Sequence, residues 1–298
     1  LKKKKSFQNM DNKFSRIIQG CMNWGKWGSQ LATKEMESLI HYNIEIGVTT
    51  FDHADIYGDY TTELEFGKAF AQSGIQREEI QLISKCGIQY VGETRQNKIK
   101  HYQHDSNYII YSVEKSINNL NADYLDILLL HRPSPLMHPD EIFKAIEILM
   151  DQGKIKSFGV SNFTNYQTKL ISSKSKVNAN QIKFSLTHHS ALFDSSLDYM
   201  VLNKIIPMSW SPLGSVFKEK SDKNKRIHLL LDELSVKYSV SKDQLLLAWI
   251  LKHPSKIHPV IGTVKKDRIK ASYDSVNIDL SEIDWFRMLE VCQGHKLP

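Results

Sequence analysis

"TTFDHADIYGDY" (residues 49–60) ends an apolar, β-branched run and then places three acidic side chains, one histidine and two tyrosines in twelve positions. A short apolar segment that stops on a carboxylate and opens into a polar loop reads as the end of a buried strand. Asp52-His53-x-Asp55 alone offers carboxylate and imidazole ligands to a divalent cation. The same residues suit a polar turn that closes a strand, or a loop that delivers a proton donor. The choice among the three depends on what the rest of the chain brings to this strand end.

Outward from this stretch, short β-branched or leucine-rich runs alternate with longer segments of helical period, the pattern of repeated βα units. Strands are expected at 17–20, 48–52, 80–84, 125–130, 156–160, 179–183, 205–209 and 258–261. Thr62-x-x-Glu65 and Ser241-x-x-Gln244 have the spacing of helix-opening capping boxes, and Gly153 supplies a helix stop. Eight such units in 298 residues predict one α/β domain, a (β/α)8 TIM barrel, with a doubly wound open sheet as the alternative. Polar loops at 87–105 and 211–222 leave the carboxyl ends of the third and seventh strands, where barrel enzymes build sites. Extra helices are expected at 241–252 and 281–292.

The formal charge is +6, but four lysines, Lys2 to Lys5, crowd the first ten residues, which read as a basic, flexible tail. No interior basic run is interleaved with aromatics, so a nucleic-acid partner has no support. Cys21, Cys86 and Cys292 are odd in number and widely spaced, which argues for a reducing compartment. No stretch has the length and apolarity of a membrane span, nor the first residues the apolar core of a signal peptide. The expectation is a cytoplasmic protein, a monomer or weak homo-oligomer, with a small molecule as partner.

Polar residues recur at the carboxyl ends of the strands: Asp52, Lys85, His131, Ser161, Asn162, Gln181, Trp210 and Ser211. A barrel brings them to one rim, whereas an open sheet strings them along an edge. Asp, Tyr, Lys and His form a sensible proton-transfer set. A nearby ammonium is expected to lower a tyrosine's pKa, a carboxylate to hold the ammonium, and a histidine to polarise a carbonyl. Such a site yields a protonated alkoxide, so hydride must come from elsewhere.

Seven stretches carry a resemblance in order along the chain: residues 47–58 (GVTTFDHADIYG), 82–87 (LISKCG), 128–133 (LLLHRP), 153–163 (GKIKSFGVSNF), 180–186 (NQIKFSL), 208–214 (MSWSPLG) and 260–269 (VIGTVKKDRI). The chain resembles the aldo-keto reductases, (β/α)8 NADPH-dependent carbonyl reductases, and within them a bacterial subgroup. The resemblance implies Tyr57 as general acid, Lys85 as its activator, Asp52 as the lysine's partner and His131 as the orienting group. It implies that Ser161, Asn162 and Gln181 hold the carboxamide of NADPH/NADP+, that Trp210 stacks on the nicotinamide, and that Ser211, Leu213 and Gly214 line the pyrophosphate. Gly20, Cys21, Met22 and Asn23 fall near the nicotinamide ribose. Gly262, Thr263, Lys265 and Arg268 fall at the adenosine end, where two cations favour a 2′-phosphate and hence NADPH over NADH. The substrate implied is a small-molecule aldehyde or ketone, bound by Tyr57, His131 and Trp24, with Trp27, Tyr90 and the 87–105 loop shaping the pocket.

Competing readings are bland or lack a completing cluster. His188-His189 point to opposite sides of an extended segment, so no metal site is expected there. His53 and Asp55 are expected to hydrogen-bond the loop that aims Tyr57, Trp285 to pack, and Cys86 to fill the core. Tyr111-x3-Lys115 matches short-chain dehydrogenase spacing, but residues 20–28 (GCMNWGKWG) lack the glycine-rich turn that fold needs, and the pair sits on a helix beginning near Ser106. Two alternatives remain for the function. One is a cofactor-binding regulatory or sensor protein with little turnover; the other is a metal-dependent barrel hydrolase using Asp52, His53, Asp55 and His131.

Overall fold

In the computed structural model, residues 14–297 are described; the basic tail expected at 1–10 lies outside them. The strands are β1 (Ile18–Gly20), β2 (Thr50–Asp52), β3 (Gln81–Cys86), β4 (Ile88–Gln89), β5 (His101–Tyr102), β6 (Ile127–Leu130), β7 (Phe158–Ser161), β8 (Ala179–Lys183), β9 (Ile206–Trp210) and β10 (His258–Ile261). Eight of them close into a parallel barrel in the order β1-β10-β9-β8-β7-β6-β3-β2, and β1 pairs back onto β2. The (β/α)8 barrel is therefore the fold, and the open sheet is excluded. β4 and β5 instead pair antiparallel within the 87–105 segment, so that segment is a hairpin excursion and not a plain loop.

The helices that matter below are α1 (Thr33–Glu45), α2 (Tyr57–Tyr60), α3 (Thr62–Ser73), α4 (Ser106–Asn119), α5 (Pro139–Asp151), α6 (Asn165–Ser172), α7 (Ser196–Leu202), α8 (Asp222–Tyr238), α9 (Lys242–Leu251), α10 (Lys266–Asp274) and α11 (Glu282–Gln293). Strand alternation divides the core in two. In β6, Ile127 and Leu129 join an inner cluster with Ile18, Ile83, Met208 and Val260, whereas Leu128 and Leu130 face the helices. Each such buried side chain contributes about 1.5–3 kcal/mol relative to exposure. α9 is apolar on every side from Leu245 to Ile250, and all six residues are buried.

Ends of helices follow the local chemistry. Ser241 and Gln244 form the expected capping box at α9, and Gly153 takes a positive φ of 71° just beyond α5. Thr62-x-x-Glu65 does not cap: α3 already includes Thr62, Thr61 is the boundary residue, and the buried Thr62 hydroxyl has no hydrogen-bond partner. Trp285 packs, as expected, stacked on Trp249 at 4.9 Å with an interplanar angle of 7°. Each indole N–H donates to the other residue's carbonyl, which ties α11 to α9.

Candidate active site

The barrel delivers each strand-end residue to the same rim. Asp52 ends β2, Lys85 lies near the end of β3, His131 follows β6, Ser161 ends β7, Gln181 sits in β8, and Trp210 ends β9. A cavity of about 560 Å³ opens there, lined by Asp52, Tyr57, His131, Ser161, Asn162, Gln181 and Trp210 among others. Lys85 lies behind Tyr57 and is itself 1 % exposed.

The ammonium of Lys85 uses all three of its donors. It donates to Asp52 Oδ2 at 2.7 Å, to the His53 carbonyl at 2.8 Å and to the Tyr57 hydroxyl at 3.0 Å. Asp52 accepts a further bond on Oδ1 from Gln181 Nε2 at 2.9 Å. Because the Tyr57 oxygen accepts from Lys85, its own proton is left for another acceptor. The Tyr57 and His131 rings meet edge to face, centroids 6.0 Å apart.

Burial sets the protonation states. It pushes the Tyr57 phenol above its ordinary pKa, and the neighbouring Lys85 charge only partly offsets this. The expected lowering of that phenol is therefore corrected: burial raises it above its ordinary range and holds the phenol protonated. For Lys85, burial opposes the charge, but Asp52 and Tyr57 outweigh it and the ammonium ends above its usual range. His131 is pushed well down, by burial first and then by the cations Lys85, Arg132 and Lys100, so it is a neutral imidazole.

Tyr57 is aimed by a left-handed turn. Gly58, Asp59 and Tyr60 have φ of 61°, 59° and 67°, a conformation that costs a non-glycine residue free energy unless its surroundings hold it. The hairpin segment supplies those surroundings. Asp59 Oδ2 accepts from the amides of Glu93 at 2.9 Å and Thr94 at 3.1 Å, and the Thr94 hydroxyl donates to the Asp59 carbonyl at 2.7 Å. The Tyr60 hydroxyl accepts from the Tyr90 amide at 3.0 Å, and the Arg95 guanidinium lies 3.7 Å from the centre of its ring.

A family model for the aldo/keto reductase family matches residues 16–292. The chain belongs to the aldo/keto reductase family. It is 40% identical over 294 residues to the uncharacterized oxidoreductase YcsN of Bacillus subtilis, covering 97% of each chain. It is 37% identical over 291 residues to the oxidoreductase YdhF of Escherichia coli, covering 96% of each. Its barrel superposes on the glycerol dehydrogenase of Gluconobacter oxydans with a TM-score of 0.84 at 20% identity, covering 96% of this chain and 94% of that one.

In this aldo/keto reductase the residues expected at a carboxamide are linked to one another. The Ser161 hydroxyl donates to the Gln181 carbonyl at 2.9 Å, Asn162 Nδ2 to Ser161 Oγ at 2.8 Å, and the Trp210 indole to Asn162 Oδ1 at 2.9 Å. Gly20, Met22, Asn23, Ser211, Leu213, Gly214, Gly262, Thr263 and Arg268 also line the cavity. Gly214 has a φ of 58°, and a Cβ there would sit 2.1 Å from Thr187 Oγ1, so only glycine fits.

Two expectations, on Trp24 and on His53 with Asp55, are corrected. Trp24 does not line the cavity: it is fully buried against Phe51 and Phe66 in the outer core, while Trp27 lies 6.4 Å from the Tyr57 ring. Lys265 is exposed, precedes α10 and lies outside the cavity lining, while its amide donates to Thr263 Oγ1 at 3.2 Å. His53 makes no side-chain hydrogen bond; its ring packs on Phe66 at 4.4 Å, and burial drives its pKa to about 3. Asp55 is bonded instead to α4, accepting from Ser112 at 3.0 Å and Tyr108 at 3.3 Å.

Sequence reasoning missed Arg132, Asp243, Leu247 and Ser272 and reached Lys100 and Lys218 only through the loops expected at 87–105 and 211–222; all six line the cavity. Arg132 follows His131 directly, and Asp243 and Leu247 are four apart on α9, so adjacency and helical spacing were the available signals. Among the described residues, no three His, Cys, Asp or Glu side chains converge as a metal site. Tyr111 is exposed on α4, and its ring is 5.9 Å from Lys115 Nζ, outside the cavity.

Proposed function

We propose that this aldo/keto reductase reduces an aldehyde or ketone to the alcohol, with NADPH as cofactor and Tyr57 as proton donor. The observation that carries the reading is the Lys85 ammonium shared between Asp52 at 2.7 Å and Tyr57 at 3.0 Å, beneath a cavity that His131 also lines. A pure binding protein has no need of a buried ammonium aimed at a phenol. The cavity's form supports a dinucleotide: it extends from Tyr57 to Arg268 and Ser272, with the tight Gly214 turn between.

Asn162, Ser161 and Gln181 would hold the carboxamide, Trp210 would face the ring, and Ser211, Leu213 and Gly214 would hold the pyrophosphate. Arg268, whose Nε is 3.9 Å from Asp243 Oδ2, would meet a 2′-phosphate, with Thr263 beside it. When bound, NADPH supplies hydride to the carbonyl carbon.

The chain's own residues handle charge and the proton. The neutral imidazole of His131 donates a hydrogen bond to the carbonyl oxygen and fixes its direction. Tyr57 transfers its proton to that oxygen as negative charge builds there. Lys85 then stabilises the phenolate left behind, and Asp52 with Gln181 keeps the ammonium in place. Tyr57→Phe is expected to lower carbonyl turnover by about 10²–10⁴-fold while NADPH binding, read by cofactor fluorescence, is retained. Undiminished turnover in that variant would remove Tyr57 from the role.

A further inference from the structure

Among the described residues, two cations beside Tyr57 and His131 have no acid to match them. Lys100, from the hairpin excursion between β3 and α4, and Arg132, which follows His131, both line the cavity that holds Tyr57. Arg132 is half-buried, with its guanidinium carbon 5.4 Å from the centre of the Trp210 ring. Among the described residues, the only carboxylates in the lining are Asp52 and Asp243. Asp52 is engaged by Lys85 and Gln181, and Asp243 faces Arg268. Among the described residues, then, Lys100 and Arg132 are without a carboxylate partner.

Barrel topology separates them from the cations placed at the cofactor's phosphates. In the closed order, β6, which delivers Arg132, stands four places from β10, which leads to Arg268, and so lies diametrically opposite. β3, which leads to Lys100, is the direct neighbour of β6. Lys218 follows β9, the neighbour of β10. The strand ends that deliver Lys100 and Arg132 therefore lie across the barrel from the one that leads to Arg268 and on the side of His131, and the Arg132 guanidinium reaches over to within 5.4 Å of the Trp210 ring at the end of β9. On the proposed reading the dinucleotide's phosphates run toward Arg268, which leaves Lys100 and Arg132 to a second anion. That Lys100 and Arg132 both help push His131 down shows their charge reaching the catalytic end.

We infer that the carbonyl substrate is an anion, an aldehyde or ketone bearing a carboxylate or phosphate that Lys100 and Arg132 bind while its carbonyl lies against Tyr57 and His131. Arg132 offers a planar fork for two oxygens, and Lys100 adds a mobile point charge from the hairpin. Such a contact adds binding energy remote from the reacting carbon and discriminates against neutral carbonyls.

This inference rests on the carbonyl-reductase reading, and matched substrate pairs separate the two. With NADPH, kcat/KM is measured for butanal against 4-oxobutanoate and for glyceraldehyde against glyceraldehyde 3-phosphate. A preference of about tenfold or more for one charged member, set mainly in KM and shrinking with added salt, is expected, and the favoured pair tells carboxylate from phosphate. Arg132→Gln and Lys100→Gln should each lower the charged-to-neutral ratio. Calorimetric binding of 4-hydroxybutanoate, or of glycerol 3-phosphate if phosphate is favoured, to the NADP+-loaded protein should weaken in parallel. Equal turnover of charged and neutral members, or a ratio unmoved in both variants, overturns the anionic substrate and leaves the reductase intact. If no aldehyde is turned over, the reductase reading itself falls.

Discussion

Lys85 and Tyr57 are in hydrogen-bond contact at 3.0 Å inside a site so dry that the ammonium cannot bring the phenol below its ordinary pKa. Tyr57 is thus a protonated phenol at neutral pH, and on the proposed reading Lys85 acts on what remains after the proton has left. If Tyr57 is the proton donor, its protonated form is the active one and its pKa is raised, so the reduction rate should show no loss of donor up to about pH 9. The neutral state of His131 adds no inflection above about pH 6.5, because its pKa lies well below that value. A pH profile of kcat with an inflection near neutrality would contradict this assignment. Lys85→Met should lower kcat by about 10²-fold or more. It also leaves Asp52 buried and unpaired, a cost of about 3–5 kcal/mol in stability that thermal melting would register.

Asp55 gives a second pH signature, in stability. Burial, with Glu63 nearby, raises its carboxyl to about 7 in the folded chain. The folded state therefore holds the Asp55 proton more tightly than the unfolded state. Its contribution is complete below the unfolded pKa of about 4 and is lost as pH rises through about 7. Asp55→Asn removes that loss. The variant should melt higher than the parent at about pH 8, by an amount worth roughly 1–3 kcal/mol, and the gap should shrink at about pH 5. A gap independent of pH would show that Asp55 is not the titrating group.

The two neighbouring tryptophans should part company on truncation. Trp24→Ala opens a cavity in the outer core and should cost about 3–5 kcal/mol in stability. Trp27→Ala removes a ring 6.4 Å from Tyr57 and should act chiefly on KM, with a much smaller change in melting temperature. Chemical denaturation paired with kinetics on one aldehyde distinguishes the outcomes.

The contrast between these tryptophans also marks what the sequence could convey. Strand periodicity and the polar residues closing most of the strands made the barrel and its rim legible, because the first is a local pattern repeated eight times and the second recurs at six of those strands. Asp52, Lys85 and His131 were legible for the same reason. Which face of the 20–28 turn looks inward was not, because it depends on how α3 brings Phe66 against Trp24. Lys265 and Arg268 read alike as cations, yet only the helical path of α10 directs one of them to the cavity. The β4–β5 pairing within 87–105 spans two residues on each side, too short to leave an alternation pattern.

Asp59 should couple the hairpin segment to the acid. Asp59→Ala deletes the acceptor for the Glu93 and Thr94 amides and keeps a side chain at a positive φ. The expected result is faster hydrogen exchange and easier proteolysis across residues 90–100, with a raised KM for the carbonyl. Exchange in that segment equal to the parent's would show that other contacts hold it.

The three described thiols, Cys21, Cys86 and Cys292, are all buried, and burial raises each of their pKa values. Aldehydes and ketones are electrophiles, and they modify proteins most readily through thiolates and uncharged amines. Beneath Tyr57, among the described residues, such a molecule would meet a protonated ammonium at Lys85 and no thiolate. On the proposed reading, a carbonyl substrate would therefore find, among the described residues beneath Tyr57, no thiolate or uncharged amine to add to.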